Sequence, residues 1–138
     1  MPVTKVEQLP GEPIFHIAYE GEMTAEDLRA STELLATFWS DALKTSGSHI
    51  LLDARNVSKI AFAESIKSFT VTRAIEADFA EMMPYVHYYV VGTNAMAKLW
   101  VNWRRMQSGK SVPMFAHLDD ALAAARTRIA SIAAGESS

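Results

Sequence analysis

The sequence predicts a small α/β domain with a largely parallel sheet, and three observations predict it. Two apolar runs, Tyr85 to Gly92 (YVHYYVVG) and Val112 to Phe115 (VPMF), read as strands. Each is followed by a helical pattern, Asn94 to Gln107 and Leu118 to Ile132. A third apolar run, His49 to Asp53 (HILLD), sits between two further helical segments. Alternating strands and helices are the pattern of parallel strands joined by helical crossovers. The expectation is a single domain over residues 1–132, with a four- or five-stranded mixed sheet and about four helices. A disordered tail is expected over 133–138.

Each element follows from local signals. Val3 to Gln8 reads as an edge strand. Leu9-Pro10-Gly11-Glu12-Pro13 is turn chemistry, and Ile14 to Tyr19 alternates into a second strand, so the chain opens with a hairpin. Thr24 is a suitable N-cap, and Asp27 three residues later resembles a capping box with Asp in place of Glu. From Leu28 to Leu43 the spacing is helical, with Leu28, Leu35, Phe38, Trp39 and Ala42 near one face, and Ser46-Gly47-Ser48 ends that helix. Ile50, Leu51 and Leu52 are apolar without alternation, as in a strand covered on both faces. Asn56 to Lys59 reads as a loop. A long helical segment then runs to about Met83, where Pro84 stops it. In the last helix Leu118, Leu122, Ala125, Ile129 and Ile132 form one stripe, and Asp119 and Asp120 occupy the first turn, where the helix dipole favours acids.

Composition excludes several classes. The chain has 138 residues, 49% hydrophobic and 21% charged, enough for one self-sufficient core. A net charge of -3 lacks the basic surface of a general nucleic-acid binder. With no cysteine there are no disulfides, thiolate metal sites or thiol nucleophiles. The N-terminal segment lacks the apolar core of a signal peptide, and no apolar run approaches the ~20 residues that span a bilayer. A cytoplasmic protein without membrane spans is the expectation.

The order of elements and the local sequences resemble the STAS-like family, typified by the bacterial anti-sigma-factor antagonists of sporulation and stress signalling, whose fold is related to Sec14-type lipid-binding domains. Three stretches carry the resemblance. Ile14 to Leu28 (IFHIAYEGEMTAEDL) looks like the family's strand, glycine-containing turn and helix. His49 to Val57 (HILLDARNV) looks like its central strand with the trailing D-L-x-x-V pattern. Val112 to Ala125 (VPMFAHLDDALAAA) looks like its closing strand and helix. The resemblance implies a non-enzymatic regulatory or protein-interaction module. Classical antagonists carry a D-S-S-G turn after the central strand, whose serine a partner kinase phosphorylates. Here the corresponding turn falls at Ala61-Phe62-Ala63-Glu64, with Ser58 slightly early and Ser65 slightly late. A phosphorylation switch of the classical kind is not expected.

The candidate sites are few. Ligands of open α/β sheets sit at the carboxyl ends of parallel strands. If the two central strands are neighbours, Asp53, Arg55 and Asn56 meet Thr93 and Asn94 on one rim, where the helix N-terminus after Thr93 offers free N–H groups to an anion. The plainer account makes Asp53 a turn cap, Thr93 or Asn94 a helix cap, and Gly92 the bend. Ser108-Gly109-Lys110-Ser111 ends like a phosphate loop, but the earlier glycine is replaced by Arg104 and the order of elements is reversed, so Gly109 reads as a helix C-cap. The four histidines, His16, His49, His87 and His117, form no local metal motif. Tyr85, His87 and Tyr89 alternate onto one strand face, with two readings: it meets His16 in a polar-aromatic cluster, or it simply lies half-buried. Lys98, Arg104, Arg105 and Lys110 lie beside Trp100 and Trp103. Met96, Leu99, Trp103 and Met106 form the stripe expected to face the sheet, which leaves only Trp100 free for another role.

The segment 61–83 carries two apolar faces. Phe62, Ile66 and Phe69 share one, and Val71, Ile75, Phe79 and Met82 fall on nearly the opposite one. Either the helix breaks near Thr70-Val71-Thr72, or it continues and buries its second face elsewhere. Val71, Ile75, Phe79, Met82, Met83 and Trp100 then form a homodimer interface or the wall of an apolar pocket, and the seven methionines suit an adaptable lining. Three functions follow. The first is a regulatory module, homodimeric or bound to a regulatory protein partner. The second is a binder of a small apolar or lipid-like ligand between the sheet and helix 61–83. The third is an enzyme at the Asp53/Asn94 rim, ranked last because no nucleophile–base pair or metal set is visible. No cofactor is implied.

Overall fold

The computed structural model describes residues 4–60, 62–108 and 111–135. The side chains of Phe62, Phe69 and Arg104, the proposed cap at Gly109 and the end of the expected tail lie outside what is described. Ala133, assigned to that tail, is instead the last residue of a helix.

Strands β1 (Thr4–Gln8), β2 (Ile14–Met23), β3 (Ser48–Ile60), β4 (Val86–Val91) and β5 (Met114–Phe115) form one five-stranded sheet in the order β1-β2-β3-β4-β5. Only the β1–β2 hairpin is antiparallel. The runs Ile50 to Leu52 and Val86 to Val90 are interior, as their apolar density predicts. Among the described residues four α-helices lie between the strands, α1 (Ala25–Ala36), α2 (Leu43–Ser46), α3 (Phe62–Asp78) and α4 (Ala95–Ser108), and a fifth, α5 (Leu118–Ala133), follows the last strand. The extra helix arises because the expected Leu28 to Leu43 helix starts earlier and divides into α1 and α2. The capping box is present: Asp27 N–H donates to Thr24 Oγ1 at 3.2 Å, and Thr24 N–H donates to Asp27 Oδ2 at 2.9 Å.

The sheet carries two cores. On one face Phe15, Ile17, Tyr19, Leu35, Ile50, Val90, Met96, Trp100 and Trp103 pack together beneath α1 and α4. On the other, α5 alone covers Ile14, Leu51, Tyr89 and Val91 with Ala121 and Ala125. The alternation of strand residues between these faces decides which side chains meet.

Three expectations are corrected. Asn56 to Lys59 is strand, not loop. Beyond Asp53, β3 outruns β4 and pairs only with an extension of β2 (Glu20↔Asn56, Gly21↔Val57, Glu22↔Lys59). A strand with one open side tolerates Arg55, Asn56, Ser58 and Lys59 in solvent while burying Val57. Secondly, α3 runs unbroken through Thr70-Val71-Thr72 and ends at Asp78 rather than Met83, and a 3₁₀ turn, Met83–Tyr85, leads into β4. Thirdly, the buried stripe of α4 runs through Met96, Ala97, Trp100 and Trp103, while Met106 is 79% exposed. The i, i+4, i+7 spacing of 96, 100 and 103 sets this face. Trp100 is therefore not free: it is 4% exposed and meets Tyr19 edge-on at 5.2 Å.

Candidate functional site

The rim residues sit where β3 passes the end of β4. Asp53 lies across from Val91, and the sheet's alternation puts its side chain on the α5 face, only 3% exposed. A carboxylate there must be paired. Arg55 grips it with both donors, Nε to Oδ1 at 2.9 Å and Nη2 to Oδ2 at 2.7 Å, and Arg55 N–H adds a third bond to Oδ1 at 3.1 Å. His16 Nε2 stands 2.9 Å from Oδ2. Burial by itself would raise the Asp53 carboxyl, but the hydrogen bonds from His16 and Arg55 and the Arg55 charge outweigh it and hold it well below the usual carboxylate range.

Asn94 belongs to the same corner for a structural reason. Its Oδ1 accepts from Ala97 N–H at 3.0 Å and caps α4, while its Nδ2 donates to the Ala54 carbonyl at 2.7 Å and ties that cap to β3. Gly92 makes the turn, with φ +129 and a Cβ position 3.5 Å from Arg55 N. Thr93 and Asn56 are exposed. The structure thus joins Asp53 to Arg55 directly and brings Asn94 onto the intervening residue. Both the carboxylate and the amide are occupied by the chain's own groups. Among the described residues no three of His, Asp and Glu gather as a metal site would require.

The expected polar-aromatic cluster divides in two. His16 goes to Asp53. His87 and Tyr89 instead meet His49, which the sequence reading left out of the cluster: the His49 and His87 rings stack at 4.8 Å, and the Tyr89 hydroxyl lies 3.0 Å from His49 Nδ1. Tyr85 lies in the 3₁₀ turn and is exposed. The available signal was alternation. His49, Leu51 and Asp53 share one face of β3, and register places His87 and Tyr89 beside His49 and Leu51.

The apolar candidates pack on their own chain. Ile75 is buried, Phe79 meets Trp39 edge-on at 5.1 Å, and Met82 packs against the larger core. Val71 and Met83 are half-buried, and Ile66 on the opposite side of α3 is 51% exposed. Between the sheet and α1, α3 and α4 lies an apolar cavity of about 60 Å³, bounded by Tyr19, Leu28, Ile75, Tyr88, Trp100 and Trp103.

Neither a family model nor a curated protein matches the sequence. Solved structures do match the fold. An anti-sigma factor antagonist from Mycobacterium paratuberculosis superposes with a TM-score of 0.57 at 17% identity, covering 91% of this chain and 95% of that one. A Shewanella loihica protein of the DUF3478 family, with a SpoIIAA-like fold, gives 0.56 at 16% identity over 88% of this chain and 91% of its own. A Thermotoga maritima protein described as an anti-sigma factor antagonist gives 0.56 at 12% identity over 89% and 94%. The mixed sheet opened by a hairpin, with α5 on one face and α1, α3 and α4 on the other, is thus a SpoIIAA-like fold.

Proposed function

We propose that this chain is a non-enzymatic regulatory module that acts by binding another protein chain, either a second copy of itself or a regulatory partner. The observation that supports the reading is the SpoIIAA-like fold, shared over about nine-tenths of the chain with anti-sigma factor antagonists. The rim agrees with it. Asp53, Arg55 and Asn94 spend their hydrogen-bonding capacity within the chain, which suits a scaffold better than a reaction centre. Native mass spectrometry of the protein isolated from its own cells tests the reading: a stoichiometric complex, homomeric or with a second protein, is the expected result. A monomer without a partner, turning over a substrate that the Asp53→Asn variant no longer converts, would replace it with the enzyme reading.

The module is proposed to work without a phosphoserine switch. Ser58 is an exposed strand residue of β3, and Ser65 lies within α3. Phosphopeptide mapping of the native protein is expected to find neither stoichiometrically modified, and phosphate on either, coupled to a change of partner, would overturn this.

A second reading, a binder of a small apolar ligand, draws on the cavity beside Ile75. Its volume of about 60 Å³ is well under the ~150 Å³ that accommodates benzene, so a lipid chain would enter only if α3 moved outwards. Extraction of the native protein with organic solvent tests it directly. A stoichiometric lipid in the extract, lost from Ile75→Trp, would favour this reading over the first.

A further inference from the structure

The second half of α5 covers polar ground. His49 is fully buried, with Nδ1 3.0 Å from the Tyr89 hydroxyl and Nε2 3.1 Å from the Ser46 carbonyl oxygen. A carbonyl only accepts, so Nε2 carries the proton and donates to Ser46. Nδ1 is then an acceptor, and the Tyr89 hydroxyl donates to it. Arg128 of α5 lines the same surface hollow as Tyr89, so its positive charge acts on the phenol. One directed run of hydrogen bonds therefore passes from β4 through β3 to the end of α2, beneath α5. It is complete only while the His49 imidazole is neutral.

A second proton on His49 would sit on Nδ1. The Tyr89 hydroxyl would then face a cationic donor with the Arg128 charge close by, and its own hydrogen would lose its acceptor. The groups that face His49 offer no relief. From β4 come the His87 ring, stacked at 4.8 Å, and Tyr89. From α5 comes the Arg128 cation. From β2 the paired residue is Ile14, and from α2 come the Ser46 carbonyl and Gly47, while Lys44 of that helix pairs with Asp41. No carboxylate is among these groups facing the ring. The rings also have no slack. A Cβ at Gly47 would stand 2.9 Å from His87 Cδ2 and 3.1 Å from His49 Nε2.

We propose that Tyr89, His49 and Ser46 form an acid-sensitive latch beneath α5, which keeps the end of α2 and the α5 packing on Tyr89 in place at neutral pH and loosens both when His49 takes up a proton. The location suits a local release. The core under α5 is the smaller of the two, built around the short side chains Ala121 and Ala125. The larger core lies on the other face, and of the elements the latch holds only α2 reaches it, through Leu43. Burial lowers the proton affinity of His49 below its ordinary value of 6.5; the Ser46 carbonyl opposes this and the Arg128 charge adds to it. The folded chain then binds fewer protons than the opened one. The latch is fully stabilising above the ordinary value and weakens as pH falls below it towards the folded value.

Hydrogen exchange of the full chain at about pH 7.5 and about pH 5, corrected for intrinsic rates, tests the latch across the range in which histidine titrates. Protection over α5 is expected to fall by about tenfold for each pH unit between 6.5 and the folded value of His49, to a ceiling of about thirtyfold at pH 5, while the amides of β2 and β3 away from His49 keep theirs. Nitrogen-15 NMR is expected to show the Nε2–H tautomer of His49 and a titration below its ordinary value. Arg128→Gln removes a positive charge that disfavours protonated His49, and is expected to raise that titration and shrink the loss of protection. Should the variant not fold, the wild-type titration and exchange decide the matter. His49 titrating at or above its ordinary value, α5 protection equal at both pH values, or a loss spread evenly over the whole sheet would each overturn the proposal.

Discussion

Asp53 shows how a single buried charge organises its surroundings. Its carboxylate accepts from Arg55 twice through the side chain, once through the backbone, and pairs with His16. Asp53→Asn removes the charge that both partners need and is expected to cost about 2 kcal/mol, the scale of a lost charge-assisted hydrogen bond, read as a lower urea midpoint with unchanged slope. Because the folded carboxyl is held below its ordinary value of 3.8, its contribution is fully present above that value and is lost as pH falls beneath it. The Asp53→Asn variant should therefore show a shallower fall of stability in acid than the parent chain. Gly47 is a second sensitive position. Its φ of +80 and the two imidazoles against it exclude a side chain, so Gly47→Ala is expected to cost about 2 kcal/mol by thermal or urea denaturation. Neither effect is visible in the residue type alone. The Asp53–His16 bond joins positions 37 apart, and nothing local to either announces the other.

At the scale of elements, the helices illustrate how a pattern can be read correctly and oriented wrongly. Of the two apolar faces expected in α3, the one through Ile75 and on to Phe79 turns inward, and Ile66 of the other turns out. Those faces differ little in apolar content, so only contact with α1 and the sheet chooses between them. Phe79→Asp is consequently expected to lower the urea midpoint while leaving the mass by light scattering unchanged, because the carboxylate would meet Trp39 of the same chain. A variant of full stability and halved mass would restore the interface reading of that face. In α4 the ambiguity was between neighbouring positions. Trp100→Ala is expected to cost about 3 kcal/mol and Met106→Gln almost nothing, measured by the same denaturation series. By contrast α1 starts where its capping box says and α5 buries its stripe where periodicity puts it, since both signals are complete within a few residues.

For the whole molecule, the unequal covering of the two sheet faces matters most. Three helices and the connecting aromatics protect one face, and α5 alone protects the other, aided by the Glu12–Arg126 ion pair at 2.8 Å that ties it to the opening hairpin. Ending the chain after His117 would leave Ile14, Leu51, Tyr89 and Val91 facing water. Such a variant is expected to aggregate and to show no cooperative melt by circular dichroism, whereas a soluble, cooperatively folding product would mean that the larger core suffices.

The fold class, the interior strands, the capping box and the last helix were legible in the sequence because each rests on interactions a few residues apart or on continuous apolar runs. The rim was legible only as a place: the strand ends were named, and Asp53, Arg55 and Asn94 do gather there. What tertiary structure alone decided is the length of β3 beyond Asp53, the inward face of α3, the burial of Trp100, and the meeting of His49 with Tyr89 and His87. Each of these depends on a neighbour dozens of residues away, whose approach is set by sheet register and helix packing. The energy of a buried polar group is determined by that neighbour rather than by the residues beside it in the chain.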